Sequence, residues 1–408
     1  LLAAAGTRHA ALANPFPGAP TAADGVDLGA LVGQKDELVG RLRQAKYADV
    51  AAAYGFEIRP GQATFVDGDT LAVGGQPLRA CAYVIATGAE PDRPDLPGLD
   101  EVDYLTSTTA MEQSQLPESL VVIGGGYVGM EQAQLFAHLG AAVTVVGRLA
   151  PRAEPELAAV LREVFAGDGI TVLQEHATAV EAVDGGVQVV TASGRQVRGQ
   201  RLLVATGRRA RTDGLDLSAA GVKSDERGFV SVDDGQRTAN PRVYAAGDVT
   251  GAPQYVYVAA ATGRVAAVNA LADTGARPAR VDYTGLPSVV FTRPQLASAG
   301  RTEADAQAAG HDCACRVLDL ADVPRALVNR DTRGTVKLVA DAATGRVLGV
   351  HALADGAGEM MLAATYAIKA GMSVDDIADT WAPYLTMAES LRIVAGTFRN
   401  ELPTSCCA

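Results

Sequence analysis

The sequence predicts an α/β protein with a separate α+β unit at its C-terminal end. Three patterns carry that expectation. The apolar run Ser119–Ile123 leads straight into Gly124-Gly125-Gly126-Tyr127-Val128-Gly129 and then into a helical period reaching about Leu139. Other short apolar runs end in small-residue turns, Ala86-Thr87-Gly88, Ala205-Thr206-Gly207 and Ala245-Ala246-Gly247-Asp248. From about Tyr283 onward, strand and helix patterns of an α+β domain replace the strand–turn–helix order.

Residues 1–54 read as helical, interrupted by Gly/Pro loop signals between residues 14 and 25. Strand patterns follow at residues 63–66 and Thr70–Val73, then a buried strand at residues 82–86 and a Pro-rich connector at residues 91–98. Ser119–Ile123, its glycine turn and helix, and a second strand Ala142–Val146 form a dinucleotide-binding type of unit that closes near residues 202–207. An Ala-rich helical period follows Asp248 to about residue 271, and residues 401–408 form a polar tail. The opening Leu1-Leu2-Ala3-Ala4-Ala5 is too short for a signal peptide and lacks its basic start, so it reads as the interior of a helix that begins upstream.

With 408 residues, 48% of them hydrophobic and 20% charged, the chain has the make-up of a globular protein of two or three domains. Its 35 basic and 47 acidic residues leave a net charge of −12, which argues against nucleic acid or an anionic membrane as partner. No apolar run is long enough to span a bilayer as a helix. The five cysteines, Cys81, Cys313, Cys315, Cys406 and Cys407, are too few and odd in number for a disulfide scaffold and point to a reducing, cytoplasmic compartment. Cys81, just ahead of a buried strand, is expected to be a small core residue. Cys313-x-Cys315 invites a metal reading, but no second ligand pair follows at zinc spacing, so a metal role is not expected there.

Gly124-x-Gly126-x-x-Gly129 follows a strand and opens a helix, the context in which such glycines matter. The first permits a tight turn, the second lets backbone approach a pyrophosphate, and the third lets helix and strand pack closely. The helix start offers free N–H groups and a partial positive charge to the phosphates. A carboxylate at the end of the second strand would select NADH by bonding the ribose 2′-hydroxyl. Here the strand ends Val145-Val146-Gly147-Arg148, so Arg148, assisted by Arg152, is placed for the 2′-phosphate of NADPH.

The order of these features resembles the pyridine nucleotide–disulfide oxidoreductases along essentially the whole chain. The resemblance implies two Rossmann-like nucleotide-binding domains, for FAD and NADPH, plus a C-terminal α+β dimerisation domain. The flavin domain would occupy residues 1–117 and 239–284, the nicotinamide domain 118–238, and the dimerisation domain 285–408. It also implies that Asp248, beside Gly247, holds the FAD ribitol. Ala63 and Val256 would offer backbone contacts to FAD, and Thr87, Gly88 and Gly207 would form the strand-end turns around the cofactors. Tyr127 and Glu131 would lie near the isoalloxazine ring, with Tyr127 as a gate for the nicotinamide. The active site would be shared across a homodimer.

Disulfide reductases of this family carry a His-Pro-Thr-x-x-Glu motif whose His serves the thiol substrate. The matching stretch here is Tyr384-Leu385-Thr386-Met387-Ala388-Glu389. A tyrosine, with a pKa near 10, is poorly suited to proton shuttling at neutral pH. His9, His138, His176, His311 and His351 all lie elsewhere. This stretch and the tail Ser405-Cys406-Cys407-Ala408 resemble the mercuric reductases within the family. Adjacent cysteines have Cα atoms about 3.8 Å apart, short of the roughly 4.4–6.8 Å of relaxed disulfides, but they can offer two soft thiolates to one soft metal ion.

That resemblance implies NADPH- and FAD-dependent reduction of Hg(II) to Hg(0) in mercury detoxification. Hg(II) thiolate complexes would be captured by Cys406 and Cys407 of the opposite subunit and passed to an inner dithiol, with Tyr127, Tyr384 and Glu389 near the transfer site. The family's first G-x-G-x-x-G motif and its C-x4-C pair do not occur in these 408 residues. The expectation is therefore a chain that starts after them, binds FAD poorly and does not reduce Hg(II) unaided. Two other readings stay open: a dihydrolipoamide- or glutathione-reductase-like disulfide reductase, and a non-catalytic Hg(II)-binding dimer.

Overall fold

The computed structural model describes residues 1–272, 275 and 277–399, so Cys406 and Cys407 lie outside the described residues. The chain divides into two compact units. The first combines Leu1–Asp36, Pro94–Thr206 and the chain from Tyr283 onward. Its nucleotide-binding part is a parallel sheet in the order Arg201–Val204, Ser119–Ile123, Ala142–Val146, Thr171–Leu173. Leu120, Val121, Val122 and Ile123 are all buried, as a parallel strand covered on both faces requires. Helix Tyr127–Leu139 packs on the sheet and ends at Gly140, whose φ of 118° accommodates the left-handed cap.

The same unit holds a five-stranded antiparallel sheet in the order Pro287–Val290, Gln295–Gly300, Val347–Ala354, Thr335–Asp341, Cys313–Asp319. Helices Ala357–Ala370 and Glu389–Gly396 pack against it, building a second apolar core from Val336, Leu338, Val350, Met360 and Val394. Helix Leu2–Leu12 lies on Tyr127–Leu139; Arg8 donates to the His138 carbonyl at 2.8 Å.

The second unit comprises Glu37–Arg93 and Gly207–Asp282. Tyr83–Ile85 pairs in parallel with Val243–Ala245, and Ala63–Phe65, Thr70–Val73 and Gln76–Arg79 form an antiparallel meander. Phe65, Tyr83, Ile85, Val230 and Val243 make its core. Helix Val256–Ala270 matches the Ala-rich period.

Several expectations need correction. The helical stretch at residues 1–54 is broken into Leu2–Leu12, Leu28–Arg43, a π-helical turn Gln44–Ala48 and Asp49–Ala53. The strand expected to be buried is Tyr83–Ile85, and it buries one face only: Val84 is 43% exposed. Cys81 is exposed, not in the core. The core position beside it is taken by Tyr83, whose hydroxyl donates to the Asp69 carbonyl at 2.6 Å and accepts from Ala80 N–H at 3.0 Å. The phenol ties down the turn and leaves the short thiol outside.

One buried ion cluster joins the nucleotide-binding part to the five-stranded sheet. Lys337, 1% exposed, donates to Glu154 and Glu156 at 2.9 Å and to Glu303 at 2.8 Å. Burial alone would lower the Lys337 pKa; its hydrogen bonds to Glu303, Glu154 and Glu156 outweigh that and raise it. Glu154 is itself buried, with His351 Nε2 3.7 Å away. Lys337→Met leaves that carboxylate without its cation and should cost about 3–5 kcal/mol. Glu156→Gln, at a half-exposed partner, should cost at most about 1 kcal/mol. Urea unfolding of the intact protein distinguishes the two.

Candidate functional site

The glycine turn is built by backbone crowding. Gly124 has φ 110°, and a Cβ there would meet the Ala205 carbonyl oxygen at 2.4 Å. A Cβ at Gly129 would meet the Gly124 carbonyl oxygen at 2.0 Å. Gly126 differs, because a Cβ there would have nothing within 4 Å. These are the three roles expected of the motif: turn, open approach and close packing. The open space at Gly126, at the uncapped start of helix Tyr127–Leu139, is a cradle that fits a nucleotide pyrophosphate.

Two glycines were missed in the sequence. A Cβ at Gly125 would meet the Arg148 carbonyl oxygen at 2.4 Å, and one at Gly147, φ 147°, would press on Gly125 N at 3.1 Å. Ala150 N–H donates to the Gly125 carbonyl at 2.9 Å. The loop carrying Arg148 is thereby fastened to the glycine turn. Arg148 and Arg152 are both exposed, and among the described residues neither has a hydrogen bond or ion pair. Two cations stand uncommitted beside the cradle, and no carboxylate ends the second strand.

Tyr127 and Glu131 lie one helical turn apart on one face of Tyr127–Leu139. Glu131 accepts from Phe291 N–H at 2.8 Å. Burial pushes its carboxyl pKa up, and that hydrogen bond only partly offsets the effect. Tyr384 is 56% exposed on a loop whose shape Glu389 maintains. Buried Glu389 accepts from Leu385 N–H at 3.3 Å, and Leu385 adopts φ 60°. The two flank a cleft of about 420 Å³ lined also by Asp379, Trp381 and Arg392. Glu389 thus holds the loop, and Tyr384 lines the cleft beside it.

In the second unit the pairing of Tyr83–Ile85 with Val243–Ala245 brings Thr87 and Gly88 next to Gly247 and Asp248. Gly247, φ 75°, donates its N–H to Thr262 Oγ1 at 3.0 Å. Arg208, just after Gly207, donates to the Ala89 carbonyl at 2.6 Å and lies 3.9 Å from the Asp248 carboxylate. Its Nε is buried without a partner, an orphan donor consistent with a polar group absent from the protein itself. Val256, 84% exposed, opens a helix whose N-terminus carries no side-chain cap. Ala63 sits on the meander, paired with Val73. These features fit a flavin nucleotide.

His9, His138 and Asp168 gather ligand atoms within 4.8 Å of one another. The Asp168 carboxylate is already engaged by His138 at 2.9 Å, Gln134 at 2.8 Å and Arg333 at 3.3 Å. The adjoining guanidinium disfavours a cation, and the group is a structural knot between helices.

A glycine cradle after a parallel strand, uncommitted cations beside it and a second strand-end site carrying Asp248 define a nucleotide-binding α/β oxidoreductase. Residues 2–263 match the family described as pyridine nucleotide-disulphide oxidoreductase, and residues 286–395 match its dimerisation domain. The chain is 52% identical to the mercuric reductase of Streptomyces lividans over all of this chain and 88% of that protein. It is 43% identical to the mercuric reductase of Lysinibacillus sphaericus over all of this chain and 76% of that protein. The HOCl-induced flavoprotein disulfide reductase RclA from Escherichia coli matches with a TM-score of 0.83 at 29% identity, covering 91% of this chain and 86% of that one. The chain belongs to the pyridine nucleotide-disulphide oxidoreductase family. Membership bears out the expected fold class and implies a flavin and a pyridine nucleotide as cofactors. Among the described residues no helix is long and apolar enough to cross a membrane.

The glycines separate by experiment. Gly124→Ala should destabilise the protein by more than about 2 kcal/mol, because backbone must move. Gly126→Ala should unfold within about 0.5 kcal/mol of wild type yet raise the KM for the pyridine nucleotide about tenfold or more, a loss of binding rather than of folding. Denaturant titration and steady-state kinetics give the two readouts.

Proposed function

We propose that this chain acts in a mercury(II) reductase that uses NADPH and FAD to reduce thiolate-bound Hg(II) to Hg(0) in mercury detoxification. It would work in the cytoplasm as a homodimer with the active site shared between subunits. The observation that carries this reading is the C-terminal chemistry. Tyr384 stands where disulfide reductases place a histidine, and the adjacent thiols Cys406 and Cys407 follow it. Relatives named mercuric reductase at 52% and 43% identity support it.

The protein's own residues have separable tasks. Gly124, Gly126 and Gly129 open the helix start to the pyrophosphate, while Arg148 and Arg152 pair with the 2′-phosphate that distinguishes NADPH. Asp248 accepts from a ribitol hydroxyl, with Thr87, Gly88, Gly207, Gly247, Ala63 and Val256 supplying turns and backbone contacts around it. The bound cofactors supply hydride and electron-pair transfer, which the side chains cannot. Tyr127 would close over the nicotinamide position, with Glu131 one turn further along the same helix face. Cys406 and Cys407 of the partner's tail take Hg(II) from small thiols by thiolate exchange. Tyr384 lines the transfer site with its hydroxyl, and Glu389 keeps its loop in place.

An ordinary disulfide reductase needs a proton-shuttling base where Tyr384 stands, so small disulfides should be poor substrates. Arg148→Glu should weaken NADPH by about tenfold or more and leave NADH nearly unchanged. Equal loss of both in coenzyme titrations would remove Arg148 from the 2′-phosphate site. In an enzyme that carries the inner dithiol, replacing Cys406 and Cys407 with Ala should cut turnover of cysteine-complexed Hg(II) by about tenfold or more. Unchanged turnover on that complex would exclude delivery by the tail.

A further inference from the structure

The edge strand Cys313–Asp319 carries two thiols that the reaction above leaves unused. It pairs with Thr335–Asp341 at the rim of the five-stranded sheet. Side chains alternate along a strand, so Cys313 and Cys315 project from one face, opposite Asp341 and Val339. Both are free and half-buried. Cys313 Sγ lies 3.7 Å from the His311 carbonyl oxygen, and Cys315 hydrogen-bonds to the Glu303 carboxylate. Beside them Glu154, Glu156 and Glu303 face the single ammonium of Lys337, so the pocket keeps an excess of negative charge. Asp341 adds to it, paired with His311 at 2.9 Å. Burial and then the Glu303 charge push the Cys315 thiol up to about 12.

Geometry selects among the chemistries open to such a pair. Residues two apart on a strand have Cα atoms about 6.8 Å apart, at the upper limit of disulfides, whose Cβ atoms must come within about 3.5–4.5 Å. Parallel side chains on one face do not meet that requirement. Two metal–sulfur bonds of about 2.3 Å set in line span about 4.6 Å between sulfurs. Side chains leaning toward each other from that Cα spacing reach such a span. A tetrahedral zinc site would need further ligands, and Glu303 is held by Lys337.

We propose that Cys313 and Cys315 form a chelating site for a two-coordinate soft metal ion such as Hg(II), additional to the C-terminal pair. On loading, two S–H bonds break, two metal–sulfur bonds form, and two protons leave to solvent with no change of oxidation state. The acidic surroundings favour the cation's approach, and a thiol that binds the metal gives up its proton.

The test uses the full chain with Cys81, Cys406 and Cys407 replaced by Ser and no nicotinamide present, so its outcome is independent of the catalytic reading. After equilibrium dialysis of HgCl2 against excess glutathione, about one Hg(II) per chain should be retained, because an intramolecular pair outcompetes a monothiol. Adding Cys313→Ser or Cys315→Ser should lower retention about a hundredfold. HgCl2 alone, added in a pH-stat at pH 7, should release about two protons per metal. Retention unaffected by either single substitution, no retention in the starting variant, or release of one proton per metal would each overturn the site. The proton count needs neither further substitution, so it decides the question even if those variants fold poorly.

Discussion

Three backbones meet at the glycine turn, and the nucleotide end of the molecule depends on that contact. Gly124 lies against Ala205, Gly125 against Arg148, and Gly147 against Gly125, each so close that a Cβ would fall within about 2.4–3.1 Å of a backbone atom. The crowding is what leaves room elsewhere. With strand ends and turn pressed together, the start of helix Tyr127–Leu139 opens at Gly126 and the Arg148 loop is held beside it. The opening at Gly126 and the placing of the Arg148 loop thus share one mechanical cause.

Charge is distributed with the same economy. The chain is acidic overall, at −12, yet Arg148 and Arg152 stand exposed and uncommitted beside the cradle. Lys337 shows the opposite arrangement, a buried cation on the antiparallel sheet wholly committed to carboxylates at two helix starts, Glu154 and Glu156 on one and Glu303 on the other. An uncommitted charge suits a ligand that comes and goes. A committed one fixes how the parts of the first unit pack. The thiols of Cys313 and Cys315 sit at the margin of that committed cluster, where surplus negative charge remains.

What the sequence revealed follows from how local each cause is. The fingerprint was legible because the need for Gly124, Gly126 and Gly129 arises within six consecutive positions. Gly125 and Gly147 were not, since their neighbour is a backbone from another strand end. Lys337 and Glu154 are 183 residues apart, and no pattern along the chain announces their pairing. Glu389 was singled out by resemblance, but its work as a loop anchor depends on the positive φ of Leu385, which sequence does not reveal. Cys81 was misjudged because apolar flanks suggested a core, whereas the larger Tyr83 fills it. The tail cysteines were legible as chemistry, and their placement lies outside the described residues.

The central claim is that electrons from NADPH end on mercury, and stoichiometry tests it most directly. With cysteine-complexed Hg(II) as the only acceptor, NADPH oxidised and mercury vapour released by the purified enzyme carrying its inner dithiol should agree at about one to one, since each change involves two electrons. NADPH oxidation sustained by small disulfides, with no mercury vapour formed from Hg(II), would contradict the account.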